Sequence, residues 1–402
     1  MMDGAVLASV AASATAQRAP HSANRLREGL GGRGLGWSEV AERVEAIVQD
    51  YVATSQRRSA SAPARELWNH IGASFGGGKR LRPQLVWLSY AAFGGDDAES
   101  CAAAGAAFEF LHGALVVHDD VIDRDTVRRG RPNIAGTYAA RAQARGIGAV
   151  EASHLGSSAA IIAGDLLLAA SYRILERAAS DSSTRTRLLD LLHGAMADAA
   201  SGELADVLMA HASGTVDEVL EMERLKTAVY SFEAPLRAGA VLAGAIDAEV
   251  EAVGRVGSLI GIAYQVIDDV LGTFGDPRQT GKPVTSDLRE GKLTVLTAFA
   301  GRDPEVAAYL EPPRDGRDDG GPEARGGMTL EDLASGDLAS EDPAREDLAR
   351  EALHRAGADG YALNLAHSLV TEALDEARRC DLPAPLRSEL TRLCNHVLHR
   401  ER

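Results

Sequence analysis

The chain has few aromatic residues and few cysteines, and each shortage limits what it can be. Of its 402 residues only 4% are Phe, Trp or Tyr, while 45% are hydrophobic, so a core would consist mainly of Ala, Leu and Val. A core of that composition favours helices over strands. The three cysteines, Cys101, Cys380 and Cys394, form neither a disulfide framework nor a CxxC metal pattern. Such cysteine usage is typical of a reducing compartment, which predicts a cytoplasmic protein.

Positive charge is also scarce. The chain has 42 Lys and Arg against 58 Asp and Glu, which gives a net charge of −16. An acidic surface repels phosphate, which argues against nucleic acid as a partner. No window contains about 18 uninterrupted apolar residues, and this predicts no integral membrane segment. A cleaved signal is disfavoured, since Asp3 is the only charged residue before Arg18.

Composition divides the chain into three parts. Residues 1–36 are rich in Ala, Ser, Gly and Arg without periodicity, which predicts a disordered N-terminal tail. Residues 37–402 contain successive apolar stretches with helical spacing and short loops, which predicts an all-α domain whose first helix is capped by Ser38. Within that domain, residues from about 311 to 358 are acidic, rich in Gly and Pro and nearly repetitive, so we expect a disordered insertion.

The most informative stretch is HDDVIDRDTVRRGR at residues 118–131, which holds four Asp and four Arg. On a helix Asp119 and Asp123 share a face, and Mg²⁺ prefers one or two carboxylates together with substrate phosphates. A second acidic pair, Asp268 and Asp269, ends another apolar helix. A solvated helix end would explain either pair alone. Two such ends facing one cavity favour several Mg²⁺ ions around one diphosphate.

Basic residues accompany these carboxylates. They lie beside Gly, Thr or a helix boundary, where backbone N–H groups can also face an anion: Lys79, Arg80, Arg82, Arg128, Arg129, Lys226, Lys282 and Lys292. Arg binds phosphate oxygens in a bidentate manner and Lys supplies a point charge. Their grouping in an acidic chain predicts a local phosphate pocket. Diphosphate that leaves beside an apolar cavity implies a carbocation formed from a hydrocarbon chain.

Seven motifs occur in order between residues 76 and 292: GGGKRLRP, HDDVIDRDTVRRGRP, GDLLLAAS, KTAVYSF, YQVIDDVLGTFGD, TGKP and SDLREGK. With these motifs the chain resembles the trans-isoprenyl diphosphate synthases, the polyprenyl synthetase family, and is most like a bacterial geranylgeranyl diphosphate synthase. The resemblance implies an all-helical bundle around a deep apolar cavity, usually as a homodimer. It also implies head-to-tail condensation of isopentenyl diphosphate with dimethylallyl, geranyl or farnesyl diphosphate.

The resemblance further implies a role for individual residues. Isopentenyl diphosphate would be bound by Lys79, Arg82, His112 and Arg129. The allylic diphosphate would be bound by Arg128, Lys226 and Lys282, with Lys292 nearby. Two to three Mg²⁺ ions would be held by Asp119 and Asp123, supported by Asp120, and by Asp268 with Asp269. The Thr227 carbonyl and the Gln265 side-chain oxygen would face the allylic cation.

One departure from the family pattern bears on catalysis, and four positions on one helix bear on the length of the product. The family's second acidic motif is usually DDxxD, and here Gly272 replaces its third Asp; we still expect catalysis. In the family, bulky residues four and five positions before the first Asp stop the product at C15. Here those positions are Leu115 and Ala114, and the small Ala114 would not close the cavity at this depth. Leu111 and Phe108 follow on that face. Eleven helical residues span about 16 Å, which predicts a C20 product, geranylgeranyl diphosphate.

Other interpretations remain open. A longer-chain polyprenyl diphosphate synthase would differ only in the floor residues, and Tyr172 on the opposite wall could instead close the cavity earlier. A non-catalytic regulatory subunit of a heteromeric synthase would be expected to lose aspartates or phosphate-binding basic residues, which this chain keeps. A terpene cyclase should carry an N-D-x-x-[ST]-x-x-x-E stretch in place of QVIDD, and a helical scaffold without chemistry would explain none of the cations.

Overall fold

The computed structural model describes residues 35–210, 214–275, 292–310 and 343–400. The predicted tail lies outside these residues except for its last two, and so do Lys282 and residues 311–342 of the predicted insertion. Within the described residues the fold is all-α, as the sequence predicts, with one short two-stranded hairpin.

The helices and strands follow one another in this order: α1 (Trp37–Arg58), α2 (Ala62–Ser74), α3 (Leu81–Ala92), α4 (Ala98–Ile122), β1 (Val127–Arg128), β2 (Arg131–Pro132), α5 (Ile134–Gln143), α6 (Ala149–Leu175), α7 (Ser182–Met209), α8 (Val216–Glu223), π1 (Arg224–Glu233), α9 (Ala234–Leu242), α10 (Asp247–Phe274), α11 (Val295–Ala300), α12 (Pro304–Leu310), α13 (Pro343–Arg355), α14 (Ala358–Arg379) and α15 (Ala384–Leu398). The element π1 is a π-helix, a rare conformation that occurs frequently at functional sites.

Short polar side chains cap several helices. Asp97 and Asp181 accept hydrogen bonds from backbone N–H groups in the first turns of α4 and α7, and Thr215 forms a capping box with Glu218 at α8. These bonds satisfy N–H groups that have no partner inside the helix. These three helices therefore start where the local sequence offers a hydrogen-bond acceptor.

The first helix begins without a side-chain cap, so the predicted Ser38 cap is wrong. Helix α1 begins at Trp37, and Gly36 precedes it without a side-chain bond. Leu35 and Trp37 are both 7% exposed, and the Trp87 Nε1 group donates to the Leu35 carbonyl at 2.8 Å. Tertiary packing of the apolar side chains thus determines this start, and the folded part of the chain reaches at least to residue 35.

Small side chains let the helices approach closely around α4. Ala102, Ala104, Ala106 and Ala107 of this helix are all 0% exposed, and α4 packs against α1, α3 and α6. The element π1 packs against both α7 and α10, and α10 in turn packs against α14. An alanine-rich core was expected from the composition, and it allows the long helices α4, α7 and α10 to pack against π1.

Three helices, α4, α6 and α10, are long and apolar enough to span a membrane by length and composition alone. In α4 and α10, 72% and 67% of the residues of the most apolar window are buried inside the protein, against 44% in α6. Burial in the bundle therefore accounts for most of the apolar character of α4 and α10. Helix α6 leaves more of its apolar surface uncovered.

The predicted disorder is wrong for residues 343–355, which form α13. Ala349, Ala352 and Leu353 are between 0 and 4% exposed, and the helix packs against α12 and α14. Spacings of three and four residues place these side chains on one narrow face. The strongly charged composition of the segment conceals this face, which is why an average over the segment predicts disorder.

Candidate active site

The first acidic motif closes α4. Asp119 and Asp120 lie in its last turn and Asp123 caps its C-terminus, where the helix dipole is negative. Asp120 is only 4% exposed, and the side chains of Asp119 and Asp123 are 24% and 17% exposed. Carboxylates at the negative end of a helix need nearby cations, and the structure supplies them from three other parts of the chain.

The β-hairpin returns one arginine to the motif. Arg129 and Gly130 have φ angles of 54° and 70°, as a two-residue type I′ turn requires. Arg128 donates from Nε to Asp120 at 2.5 Å and from Nη2 to Asp119 at 3.0 Å. Arg129 instead donates to the carbonyl of Gly76 at 3.3 Å, which connects the hairpin to the glycine-rich loop.

Lys226 reaches the same motif from π1. Its Nζ lies 3.4 Å from Asp119, 3.0 Å from Glu203 and 2.6 Å from Asp206. Helix α7 approaches π1 closely at Gly202, where a Cβ atom would lie 2.2 Å from the Lys226 backbone nitrogen. The sequence reasoning missed Glu203 and Asp206. Their only signal is a pair of acidic residues three positions apart directly after a glycine.

Burial and charge oppose each other in this cluster. Burial raises the pKa of Asp120 to about 6, although Arg128 acts to lower it. Burial acts likewise on Asp119, but the charges of Lys226 and Arg128 outweigh it and lower the pKa of Asp119. Burial disfavours the Lys226 cation, yet the surrounding carboxylates raise its pKa above the usual range. At neutral pH, Asp119 is therefore an anion and Lys226 a cation.

A third cation, Lys292, donates to Asp123 at 2.8 Å. One carboxylate oxygen from each of Asp119, Asp123 and Glu203 lies within 4.8 Å of the other two. Hard oxygen donors at this spacing are suitable ligands for a divalent cation. The structure therefore brings together two of the predicted metal ligands with a carboxylate that was not predicted.

The second acidic motif, at the end of α10, has different neighbours. Asp268 lies 2.9 Å from the guanidinium of Arg400, whose side chain is 6% exposed and lies 4.0 Å from the centroid of the Tyr264 ring. Asp269 is buried and accepts a hydrogen bond from Gln265 Nε2 at 3.1 Å. Arg400 was also not predicted, because one arginine in a charged segment beyond α15 carries no signal of its own.

Glu223 connects the two motifs. It ends α8, is 3% exposed and interacts with Asp269. Burial, followed by the charge of Asp269, raises the pKa of Glu223 well above its usual range. Lys226, which contacts Asp119, follows only three residues later. The short segment from Glu223 to Lys226 therefore contacts both acidic motifs, as their predicted convergence on one site requires.

The predicted isopentenyl diphosphate ligands Arg82 and His112 both pack against Tyr230. The Arg82 guanidinium lies 5.0 Å from the ring centroid, and the His112 ring stacks at 6.1 Å. Arg82 donates to Ser231 Oγ at 2.8 Å. Arg82 Nε and His112 Nδ1 are buried without a hydrogen-bond partner among the described residues. Burial, followed by the charge of Arg82, holds the pKa of His112 well below its usual range, so the ring is neutral.

The remaining basic residues of the glycine-rich loop have separate positions. Arg80 adopts a φ of 53° and forms ion pairs with Glu45 and Glu109, so it holds the loop in place. Lys79 lies near His396 of α15. Burial, followed by the charges of Lys79 and Arg400, lowers the pKa of that histidine. The C-terminal helix therefore borders the site on the side of this loop.

The predicted product wall lies in the interior. Phe108, Leu111 and Ala114 are 0% exposed, and Leu115 is partly buried against the core. Tyr172, on the neighbouring helix α6, places its hydroxyl 3.2 Å from His193 Nδ1 on α7. The four α4 positions thus occupy the apolar part of the bundle directly behind the carboxylates.

This arrangement of carboxylates and cations over an apolar interior agrees with comparisons with known proteins. The model of the polyprenyl synthetase family matches residues 65–313, more than half of the chain. The chain belongs to the polyprenyl synthetase family. Membership accounts for the all-α bundle and for the two acidic motifs at the ends of apolar helices.

Relatives within the polyprenyl synthetase family differ in how much of their length is matched. The short chain isoprenyl diphosphate synthase of Methanocaldococcus jannaschii is 35% identical over 56% of this chain and 63% of its own. The geranylgeranyl diphosphate synthase of Sulfolobus acidocaldarius is 34% identical over 65% of this chain and 72% of its own. A solved geranylgeranyl pyrophosphate synthase from Corynebacterium glutamicum, complexed with isoprenyl diphosphate and magnesium, has a TM-score of 0.76 at 27% identity, covering 93% of this chain and 99% of its own.

Proposed function

We propose that this protein is a trans-prenyltransferase that condenses isopentenyl diphosphate head-to-tail with dimethylallyl, geranyl or farnesyl diphosphate to give geranylgeranyl diphosphate. The observation that carries the proposal is the contact of Lys226 and Arg128 with the carboxylates of the first motif. Acidic groups for metal and basic groups for phosphate occupy one site, directly above the buried apolar face of α4.

Two sets of carboxylates would hold two to three Mg²⁺ ions. Asp119 and Asp123, supported by Asp120, form one set, and Asp268 with Asp269 forms the other. The orphaned buried oxygen of Glu203 beside the first set supports this fit, since a carboxylate oxygen without a partner can accept a cation. Bound Mg²⁺ would supply electrostatic stabilisation of negative charge on the departing diphosphate.

The chain's own cations would bind the allylic diphosphate. Arg128 can offer two N–H groups to phosphate oxygens, and Lys226 and Lys292 supply point charges; Lys282 is proposed to join them from outside the described residues. The ion pairs hold Arg128, Lys226 and Lys292 at the first motif in advance. Cations that are positioned before the reaction lower the barrier by stabilising charge as it develops.

The second substrate would bind beside Tyr230. Arg82 and His112 carry buried nitrogen atoms without partners in the described part of the chain, and Arg129 is tied to the same glycine-rich loop that carries Lys79. These groups would hold the diphosphate of isopentenyl diphosphate while its double bond attacks the allylic cation. Proton loss to the departing diphosphate would complete the condensation.

Two oxygen atoms would face the allylic cation. The Thr227 carbonyl belongs to π1, where the hydrogen-bonding pattern departs from that of an α-helix. The Gln265 amide donates from Nε2 to Asp269, which leaves its side-chain oxygen available to the positive carbon. Neutral oxygens stabilise a carbocation without capturing it as a carboxylate would.

A C20 product is proposed because Ala114 is a small side chain at the position below the motif where a bulky one would stop the product, whereas Leu111 and Phe108 lie deeper on the same helix. A longer-chain polyprenyl product is the second candidate. A regulatory subunit without catalysis is disfavoured, since both acidic motifs and their basic partners are present.

A cytoplasmic homodimer is the proposed working form. Leu204, Val207 and Leu208 form an exposed apolar stripe on α7, with 59%, 47% and 71% exposure. Ile161 and Ile162 are exposed on the adjacent helix α6. Water-exposed apolar side chains on neighbouring helices favour burial against a second copy. Light scattering of wild type and Leu208→Glu tests this, and an unchanged mass would contradict it.

The activity is tested with purified protein, Mg²⁺, isopentenyl diphosphate and each allylic primer in turn. The products are dephosphorylated and sized by chromatography. A C20 alcohol supports the proposal, and products beyond C30 support the longer-chain candidate. Absence of product with every primer, by protein that binds the metal normally, would contradict the proposed catalysis and support the regulatory subunit.

A further inference from the structure

Glu203 is a residue of the first metal site that neither the motifs nor the family resemblance assigns. It lies on α7, far along the chain from the first motif, and its carboxylate nevertheless approaches Asp119 and Asp123. One oxygen of each of the three residues lies within 4.8 Å of the others. Ligands on opposite sides of a Mg²⁺ ion lie about 4.2 Å apart, so these three oxygens can surround one ion with little movement.

The position of Glu203 follows from the packing of α7. Gly202 has no side chain, and a Cβ there would overlap the backbone of Lys226. This close contact directs the next residue, Glu203, toward the end of α4. Its side chain is 20% exposed. Oε2 contacts Lys226, but Oε1 is buried and has no hydrogen-bond partner among the described residues.

An orphaned carboxylate oxygen is costly unless something occupies it. A buried acceptor without a partner loses its hydration and gains nothing in return. Native proteins contain few such groups, and a bound ion is one of the ordinary explanations. Here the oxygen without a partner among the described residues belongs to Glu203, one of the three residues of that group.

The charge balance of the cluster points the same way. Ion pairs join five carboxylates to three cations: Asp119, Asp120, Asp123, Glu203 and Asp206 to Arg128, Lys226 and Lys292. Among the described residues, these ion pairs therefore contain two more carboxylates than cations. One divalent cation would neutralise them.

We infer that Glu203 is a third carboxylate ligand, supplied by α7, of the divalent cation that Asp119 and Asp123 hold. This inference rests on the proposed function. Mg²⁺ sites built around substrate phosphates commonly use one or two protein carboxylates. A third carboxylate lets the first site take up its ion before the diphosphate arrives.

Asp206 provides a matched control. It contacts Lys226 at 2.6 Å, as Glu203 does at 3.0 Å, but it does not belong to the three-carboxylate group. If Glu203 acts only by holding Lys226, removing either charge should have the same effect. If Glu203 binds the ion, only its own loss should weaken the metal site.

The test uses the full chain without diphosphate and follows free Mn²⁺ by electron paramagnetic resonance. Glu203→Gln keeps the shape of the side chain and should weaken the tightest Mn²⁺ site about tenfold or more. Asp206→Asn should change it by less than about threefold. Combining Glu203→Gln with Lys226→Met should leave the loss in place, since it does not depend on the lysine. Circular dichroism confirms that each variant is folded.

Three results would overturn the inference. Unchanged Mn²⁺ affinity in Glu203→Gln would remove Glu203 from the ligands, and the proposed function would stand if Asp119→Asn still abolished binding. An equal loss in Asp206→Asn would assign the effect to the surroundings of Lys226. If wild-type protein bound no Mn²⁺ even with inorganic diphosphate, the inference and the metal-dependent function would fail together.

Discussion

The two acidic motifs have the same sequence form, an apolar helix that ends in paired aspartates, but different surroundings. The carboxylates of the first motif contact cations from the hairpin, from π1 and from Lys292 ahead of α11. In the second motif, Asp268 contacts Arg400 beyond α15, and Asp269 is buried beside Glu223, whose pKa burial raises. The first motif is therefore a partly exposed site with several cations around its carboxylates, whereas Asp269 of the second motif is part of the core.

The largest expected effect is the loss of charge in the first motif. Asp119→Asn should lower kcat/KM about 10³-fold, because it removes a metal ligand and leaves Lys226 and Arg128 without their common partner. Asp269→Asn should cost at least ten times less, since that carboxylate already shares its surroundings with Glu223. Steady-state kinetics with both substrates gives the ratio. Equal losses would show that the two motifs contribute alike.

In the metal-free protein, the pH dependence of the free energy of unfolding reports on Asp120 of the first motif. Folding raises the pKa of Asp120 from 3.8 to about 6. The folded chain thus holds a proton that the unfolded chain releases, and the contribution of this group to the free energy of unfolding decreases as the pH rises through about 6. A shift of this size corresponds to about 3 kcal/mol.

Urea unfolding between pH 4 and 7.5 measures this contribution. Asp120→Asn should make the decrease shallower by the contribution of this one group, whereas the exposed control Asp190→Asn should leave it unchanged. Parallel pH profiles of wild type and Asp120→Asn would mean that Arg128 compensates the buried carboxylate fully.

Helix α4 carries the predicted product wall in addition to the first motif. Ala114→Phe should shorten the main product toward C15, because the ring would occupy the space below the carboxylates. Ala114 is fully buried, so the larger side chain should also cost about 1–3 kcal/mol of stability. Product chromatography and thermal unfolding are measured together, with Ala114→Ser as the control of nearly unchanged size. A folded variant with an unchanged product would remove Ala114 from the cavity wall.

The smallest expected effect comes from completing the second motif. Gly272→Asp restores DDxxD, and we expect it to change kcat by no more than about threefold, the size of a weak charge interaction in partly exposed surroundings. Gly194→Asp, in α7 with open space around it, is the matched control for adding an aspartate to a helix. A tenfold rise in kcat specific to Gly272→Asp would show that the missing carboxylate limits the reaction.

Much of the site could be predicted because its residues lie in short, dense motifs. Paired aspartates at the end of an apolar helix indicate a metal site, and Asp119 and Asp123 indeed lie with one oxygen each in a three-carboxylate group. Glu203 and Arg400 could not be found in this way. Each is a single charged residue in a segment with many others, and only the approach of α7 and of the chain's end gives it a role.

The sequence by itself determined the all-α fold, since its apolar residues recur at helical spacing and few residues favour strands. It also determined which helix ends carry the carboxylates and which loops carry the cations. The tertiary structure decided which cation meets which carboxylate, that Arg80 holds a loop while Arg82 packs against Tyr230, and that a charged segment near the C-terminus folds as α13. The physical reason is distance: helical periodicity depends on neighbours three and four residues apart, whereas ion pairs and narrow buried faces depend on residues that only packing brings together.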